Sequence, residues 1–202
     1  MIRTLIVLLT MLFCSTAAMA LPTIGQPAPD FKGMDAITGK ELALADAKGK
    51  IVVLEWHNPE CPFIKKYYSA GAMQKLQADA AKDGIVWISI NSASGPDKEG
   101  YFADVAAAKT LLATVNSNAA HYLLDHDGTI GHSYGAKTTP HMFVIDKNGI
   151  LVYMGAIDDK PTADSADIAT ATNYVTEALT SLKNGVPVKV TSTRPYGCGV
   201  KY

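Results

Sequence analysis

The sequence predicts an α/β protein: a three-layer sandwich around a central mixed β-sheet, with an N-terminal extension and a C-terminal tail. Three observations lead there. Short apolar runs rich in β-branched residues (51–56, 85–90, 141–154) alternate with stretches of helical spacing. The last run is split by Lys147-Asn148-Gly149, a hairpin turn. A final amphipathic stretch over 165–182 follows the hairpin, giving the principal order β-α-β-α-β-β-α.

Residues 21–36 are punctuated by Pro and Gly, with a short extended piece around Phe31. Residues 40–44 alternate weakly, as an edge strand does, before the turn at Lys48-Gly49-Lys50. The run 51–56 reads as a buried strand. From Cys61 to about Ala81, Tyr67, Ala70, Met73, Leu76 and Ala80 recur near helical spacing, predicting one amphipathic helix ended by Asp83-Gly84. A second buried strand covers 85–90, a polar loop 91–100 and a helix 101–115. A short strand (122–125), a helical turn (129–134) and the hairpin strands 141–146 and 150–154 follow. The helix over 165–182 closes at Asn184-Gly185, and the remaining tail brings Cys198 with it.

Residues 1–20 read as a cleaved signal peptide: Arg3, an apolar core from Leu5 to Phe13, and the small-residue site Ala18-Met19-Ala20. The apolar run is short for a membrane span, and Phe13 before Cys14 does not fit lipid anchoring. Cleavage leaves 17 basic and 19 acidic side chains, a net charge of −2. That excludes a basic footprint for nucleic acid or an acidic membrane surface. The expected product is periplasmic or secreted, with no membrane association after cleavage. Its domain organisation is a domain over 21–186 and a tail over 187–202. The mature chain keeps two cysteines, Cys61 and Cys198, too few for a disulfide framework.

Cys61 sits where an apolar strand ends, a turn (Asn58-Pro59) follows and a helix starts. Unpaired N–H groups and the helix dipole favour a thiolate there. Pro62 fits the first helical turn, and Lys65, one turn on, can add positive charge. Cys61 is therefore the candidate nucleophile, against the alternative of an inert buried thiol. Cys198, flanked by Gly197 and Gly199, is the candidate resolving thiol, against the alternative of a permanent staple. Trp56, Tyr67 and Tyr68 read as core or groove-wall aromatics, and Trp56 is placed among the substrate contacts.

Three segments carry a family resemblance: Trp56-His-Asn-Pro-Glu-Cys-Pro-Phe-Ile-Lys-Lys66, Tyr134-Gly-Ala-Lys-Thr-Thr-Pro-His-Met-Phe-Val-Ile-Asp146 and Gly149-Ile-Leu-Val-Tyr-Met-Gly-Ala-Ile-Asp-Asp159. With the ending Arg194-Pro-Tyr-Gly-Cys-Gly-Val-Lys-Tyr202 they resemble redoxins of the thioredoxin fold, of the alkyl hydroperoxide reductase/thiol-specific antioxidant type, and among them the peroxiredoxin-like exported proteins. The resemblance implies a thioredoxin-like fold and no cofactor. It also implies a cis Pro140, Thr139 offering its backbone to a substrate chain, and Glu55 as a buried acid that handles protons. The implied partners are a disulfide or peroxide substrate and an external thiol reductant. Two departures limit it. Ile64 replaces the second cysteine of Cys-x-x-Cys, and the peroxidase pattern upstream of Cys61 is missing, with Arg194 the only arginine left after cleavage.

The expected activity is thiol–disulfide exchange or peroxide reduction through Cys61 and Cys198. Two alternatives stand beside it. One is a copper- or zinc-binding module drawing on His57 and His141 near the thiol, although the Cys-x-x-x-Cys pair of Sco-type copper proteins is missing. The other is a non-catalytic scaffold with a structural Cys61–Cys198 bond.

Overall fold

The computed structural model describes residues 21–202, so the leader read over 1–20 lies outside the described residues. Strands β1 (Lys32–Asp35) and β2 (Lys40–Ala43) lead through a 3-10 turn, Leu44–Ala47, into β3 (Val52–Trp56). Helices α1 (Pro62–Ser69) and α2 (Ala72–Lys82) follow, then β4 (Val86–Asn91), α3 (Val105–Thr114), β5 (His121–Leu124) and α4 (Thr129–Tyr134). The chain continues through β6 (Thr138–Thr139), β7 (Met142–Ile145), β8 (Leu151–Gly155), a 3-10 turn over Ser165–Thr170, α5 (Tyr174–Lys183) and β9 (Cys198–Gly199).

Seven strands form one mixed sheet in the order β2-β1-β5-β4-β3-β7-β8. The β3/β4 and β4/β5 pairs are parallel and the others antiparallel. β3 is buried along its whole length, and its period of two sorts its side chains between two cores. Val53 belongs to the core shared with Ile64, Tyr67 and Met73 of α1–α2 and Val175 and Ala178 of α5. Val52, Leu54 and Trp56 belong to the opposite core, with Ile90, Phe143, and Ile130 and Tyr134 of α4. Tyr122, in register with Ser89, continues the first face and packs with Ala108 and Leu112 of α3. Helices on both faces of a buried sheet give the three layers expected.

Four readings need correction. The helix expected from Cys61 to Ala81 is broken at Gly71, whose φ of 69° is left-handed, a conformation only glycine enters without strain. The helix expected over 165–182 is a 3-10 turn followed by α5, which starts where the Asn173 side chain accepts the Thr176 N–H at 2.9 Å. Likewise α3 starts at Val105, because Asp104 accepts the Ala107 N–H at 2.8 Å. Trp56 is no groove wall. Strand alternation turns it to the face away from α1, where it is fully buried, donates from Nε1 to Ser92 Oγ at 3.1 Å and packs on Phe143 and Tyr134.

Trp56→Ala should therefore behave as a core truncation, costing about 3–5 kcal/mol in urea unfolding. A groove-wall residue would cost within about 0.5 kcal/mol of nothing.

Candidate active site

The loop leaving β3 is held by its own polar groups. The His57 N–H donates to Ile90 O at 2.8 Å. The Asn58 side chain accepts from the Glu60 N–H at 2.9 Å and donates to Glu99 O at 2.8 Å. These contacts bring Cys61 to the N-cap of α1, its carbonyl accepting from the N–H groups of Ile64 and Lys65 at 3.0 and 2.9 Å. Pro62 occupies the first helical position, where its missing N–H leaves no gap.

The tail completes the site. β9 pairs antiparallel with β6, setting Cys198 opposite Thr139 and Gly199 opposite Thr138. The Thr139–Pro140 bond is cis. Cys61 Sγ lies 2.7 Å from Cys198 Sγ and 3.0 Å from Thr139 O. Under this cover Cys61 is only 2 % exposed, while Cys198 is half-buried. Gly197 makes the approach feasible: at its φ of 131° an added Cβ would stand 2.1 Å from Thr139 O.

The two thiols differ in acidity. Burial pushes Cys61 up, but hydrogen bonds from Cys198, Thr139 and the N–H groups of Cys198 and Ile64 outweigh it and hold the thiol below its ordinary value. Burial and the adjacent Cys61 raise Cys198 to about 12. The first proton to leave the pair is therefore that of Cys61, with Cys198 remaining a thiol that donates to it. The Thr139 hydroxyl that contributes to this lowering is itself buried.

Glu55 is fully buried beneath α1 and α2. Trp87 Nε1 and Ser89 Oγ each donate to its Oε2 at 2.8 Å, Tyr68 OH reaches Oε1 at 3.2 Å, and Gln77 Nε2 lies 3.4 Å from Oε2. Burial raises its pKa against these donors. Its contact with the cysteine helix runs through Tyr68. Lys65 is held by an acidic neighbour. It is exposed and pairs with Glu60 at 2.8 Å, and the attraction of Cys61 is the smallest of the named effects on it.

His57 and His141 are buried in separate places. His57 Nδ1 meets Tyr122 OH at 2.8 Å, and His141 Nδ1 accepts the Lys137 N–H at 3.3 Å. Burial lowers each imidazole to about 3, so both are neutral. Among the described residues, no three His, Cys, Asp or Glu side chains are grouped to hold a metal. Two features escaped the sequence reading: the Thr139 hydroxyl, because only its backbone was assigned a role, and a buried cluster of Lys66, Tyr67, Asp158 and Tyr196. The Asp158-Asp159 pair was the one visible trace of the second.

Residues 24–154, more than half of the chain, match the model of the AhpC/TSA family. The chain belongs to the AhpC/TSA family. This AhpC/TSA member is 27% identical over 146 residues to the thioredoxin-like protein YneN of Bacillus subtilis, covering 71% of the chain and 79% of YneN. It is 29% identical over 150 residues to the thiol:disulfide interchange protein DsbE of Pseudomonas fluorescens biotype C, covering 73% and 76%. A crystal structure of a conserved protein from Geobacillus kaustophilus shares the fold, with a TM-score of 0.71 at 24% identity over 89% of this chain and 92% of that one. The chain is thus a thioredoxin-fold redoxin. The AhpC/TSA match includes Cys61 and Pro140 but stops before Cys198, so the tail's place rests on the geometry alone.

Two expectations follow. Cys198→Ala and, to a smaller degree, Thr139→Val should raise the Cys61 pKa, seen as an upward shift in the pH midpoint of iodoacetamide alkylation. Glu55 is protonated more readily in the folded state than in the unfolded chain. Its stabilising effect is therefore complete below the ordinary value of 4.5 and is lost as pH rises through the folded value. Glu55→Gln should flatten that decline in urea midpoints measured between about pH 4 and pH 8.

Proposed function

We propose that the protein is an exported thiol–disulfide oxidoreductase in which Cys61 is the nucleophile and Cys198 the resolving thiol. The observation that carries this reading is the contact of the Cys61 sulfur, at the N-cap of α1, with the Cys198 sulfur of β9, 2.7 Å apart, with opposite shifts in acidity. The DsbE relative is named for thiol:disulfide interchange, which agrees with it. Export rests on the N-terminal pattern of residues 1–20. Among the described residues no helix is long and apolar enough to cross a membrane.

In the forward direction the Cys61 thiolate attacks one sulfur of a substrate disulfide. A Cys61–substrate bond forms, the substrate S–S bond breaks, and one substrate thiolate leaves. The charge on Cys61 that held Cys198 protonated disappears with that step. Cys198 then gives up its proton and attacks Cys61 Sγ, releasing the second substrate thiolate and forming the Cys61–Cys198 bond. Two electrons have passed to the substrate, and an external thiol reductant restores them. Glu55 is assigned the proton handling on the inner side of α1, with Tyr68 as its link to the helix. Thr139 and Pro140 form the docking edge. Lys65 is left at the rim with Glu60, where its role is to shape the surface that a partner meets.

A peroxide is the other oxidant the sulfur pair can use. It would convert Cys61 to a sulfenic acid with release of water, and Cys198 would then close the same bond. Disulfide exchange is preferred because the Cys61 loop carries no arginine to polarise a peroxide. One observation favours the scaffold reading. The tail is pinned on both sides of Cys198, by Tyr196 on Asp158 and by Tyr202 OH on Ala136 O at 2.9 Å.

The deciding measurement is the equilibrium of the mature protein across a glutathione series, read by alkylation and peptide mass spectrometry. A Cys61–Cys198 bond with a potential well above about −300 mV marks a working couple, and one far below it a staple. In turnover assays Cys61→Ser should abolish disulfide exchange, and Cys198→Ser should accumulate a mixed disulfide on Cys61. Full activity in Cys61→Ser would rule the proposal out.

A further inference from the structure

A buried charge cluster lies between the cysteine helix and the tail, apart from the sulfur chemistry. The Lys66 side chain is fully buried, with Nζ 3.5 Å from Asp158 Oδ2 and 3.0 Å from Lys160 O. It also stands over the rings of Tyr67 and Tyr196, 5.5 and 6.0 Å from their centroids. Tyr67 OH donates to Asp158 Oδ2 and Tyr196 OH to Oδ1, which also accepts the Lys160 N–H at 2.8 Å. Both carboxylate oxygens are thus engaged, one by the helix and one by the tail.

Stability alone is a poor reason for this arrangement. A buried ion pair gains little over well-packed apolar side chains of the same volume. What the cluster does is geometric. Tyr67 lies on the helix that Cys61 caps, and Tyr196 stands two residues before Cys198. Between Tyr196 and Cys198 there is only Gly197, pressed against Thr139 O. Asp158 bridges the two tyrosines, so the segment that carries Cys198 is fixed to the helix that carries Cys61.

We infer that Asp158, with Tyr67 and Tyr196, is a positioning clasp that sets the effective concentration of Cys198 at Cys61. The inference rests on the two cysteines acting as a couple, and it adds the device that tunes them. Asp158 touches neither sulfur. It acts by holding the tail where the thiol of Cys198 can reach the Cys61 sulfur, and release of Tyr196 leaves a buried carboxylate one donor short.

Tyr196→Phe in the full chain tests this, because it deletes only the hydroxyl and keeps the ring on Phe63 and Lys66. Tyr202→Phe is the control: it removes a tail hydrogen bond on the other side of Cys198. Each protein is equilibrated with reduced and oxidised glutathione, and the Cys61–Cys198 bond is quantified. The expected result is a formation constant lowered about tenfold or more in Tyr196→Phe, the scale of a lost hydrogen bond to a charged group. Tyr202→Phe should stay within about twofold of the parent, a difference too small for such a loss. Resolution of a glutathione mixed disulfide on Cys61 should slow by the same factor in Tyr196→Phe. An unchanged constant in Tyr196→Phe, or an equal fall in both variants, overturns the clasp while leaving the couple intact. A parent that forms no Cys61–Cys198 bond at any ratio overturns the couple and the clasp together.

Discussion

The two-residue pairing of β9 with β6 is the contact on which the site depends. It places Cys198 against Cys61, covers Cys61 from solvent, and surrounds one sulfur with donors while raising the pKa of the other. Neither strand is long enough to stand alone. Each borrows its rigidity, β6 from the turn into the buried strand β7 and β9 from Tyr196, which anchors it to Asp158 in the body of the domain. The chemistry of the cysteine pair is therefore a property of the whole tail–sheet assembly and not of a local motif.

Under the proposed function, that arrangement stands in for what a Cys-x-x-Cys motif achieves by proximity along the chain. Within one motif the second thiol lies one helical turn from the first, so its distance is set by helix geometry. Here Ile64 fills that position and is buried in the core behind Cys61. The second thiol arrives from 137 residues away instead. Closing so long a loop is entropically unfavourable, although the cost grows only with the logarithm of its length.

Much of the fold was legible because it is written in side-chain periodicity. β3, β4 and the β7–β8 hairpin are apolar runs bounded by turn residues, and the seat of Cys61 follows from a strand ending at Asn58-Pro59 ahead of Pro62. Periodicity is blind to three other things. It does not say which face of β3 meets α1, so it cannot tell that Trp56 lies in the core away from the cysteine helix. It passes over single-residue breaks, so Gly71 and Asn173 went unread as boundaries. It carries no signal for β9, whose two residues, Cys and Gly, have no apolar pattern and gain their partner only in three dimensions. Lys65 illustrates a further limit: helical spacing brought it near Cys61, but Glu60 was the closer opposite charge.

The edge of β6 that Thr138 and Thr139 present is already paired along its length by the chain's own tail. Any extended polypeptide that is to lie along those residues thus meets a competitor tethered in the same molecule. Its apparent affinity equals its intrinsic affinity scaled by the fraction of molecules whose tail is detached. Small thiols and oxidants need no strand pairing, but they meet the same cover, because Cys61 is only 2 % exposed beneath the tail. Access to Cys61 for large and small partners alike is in this way tied to how often the tail lets go.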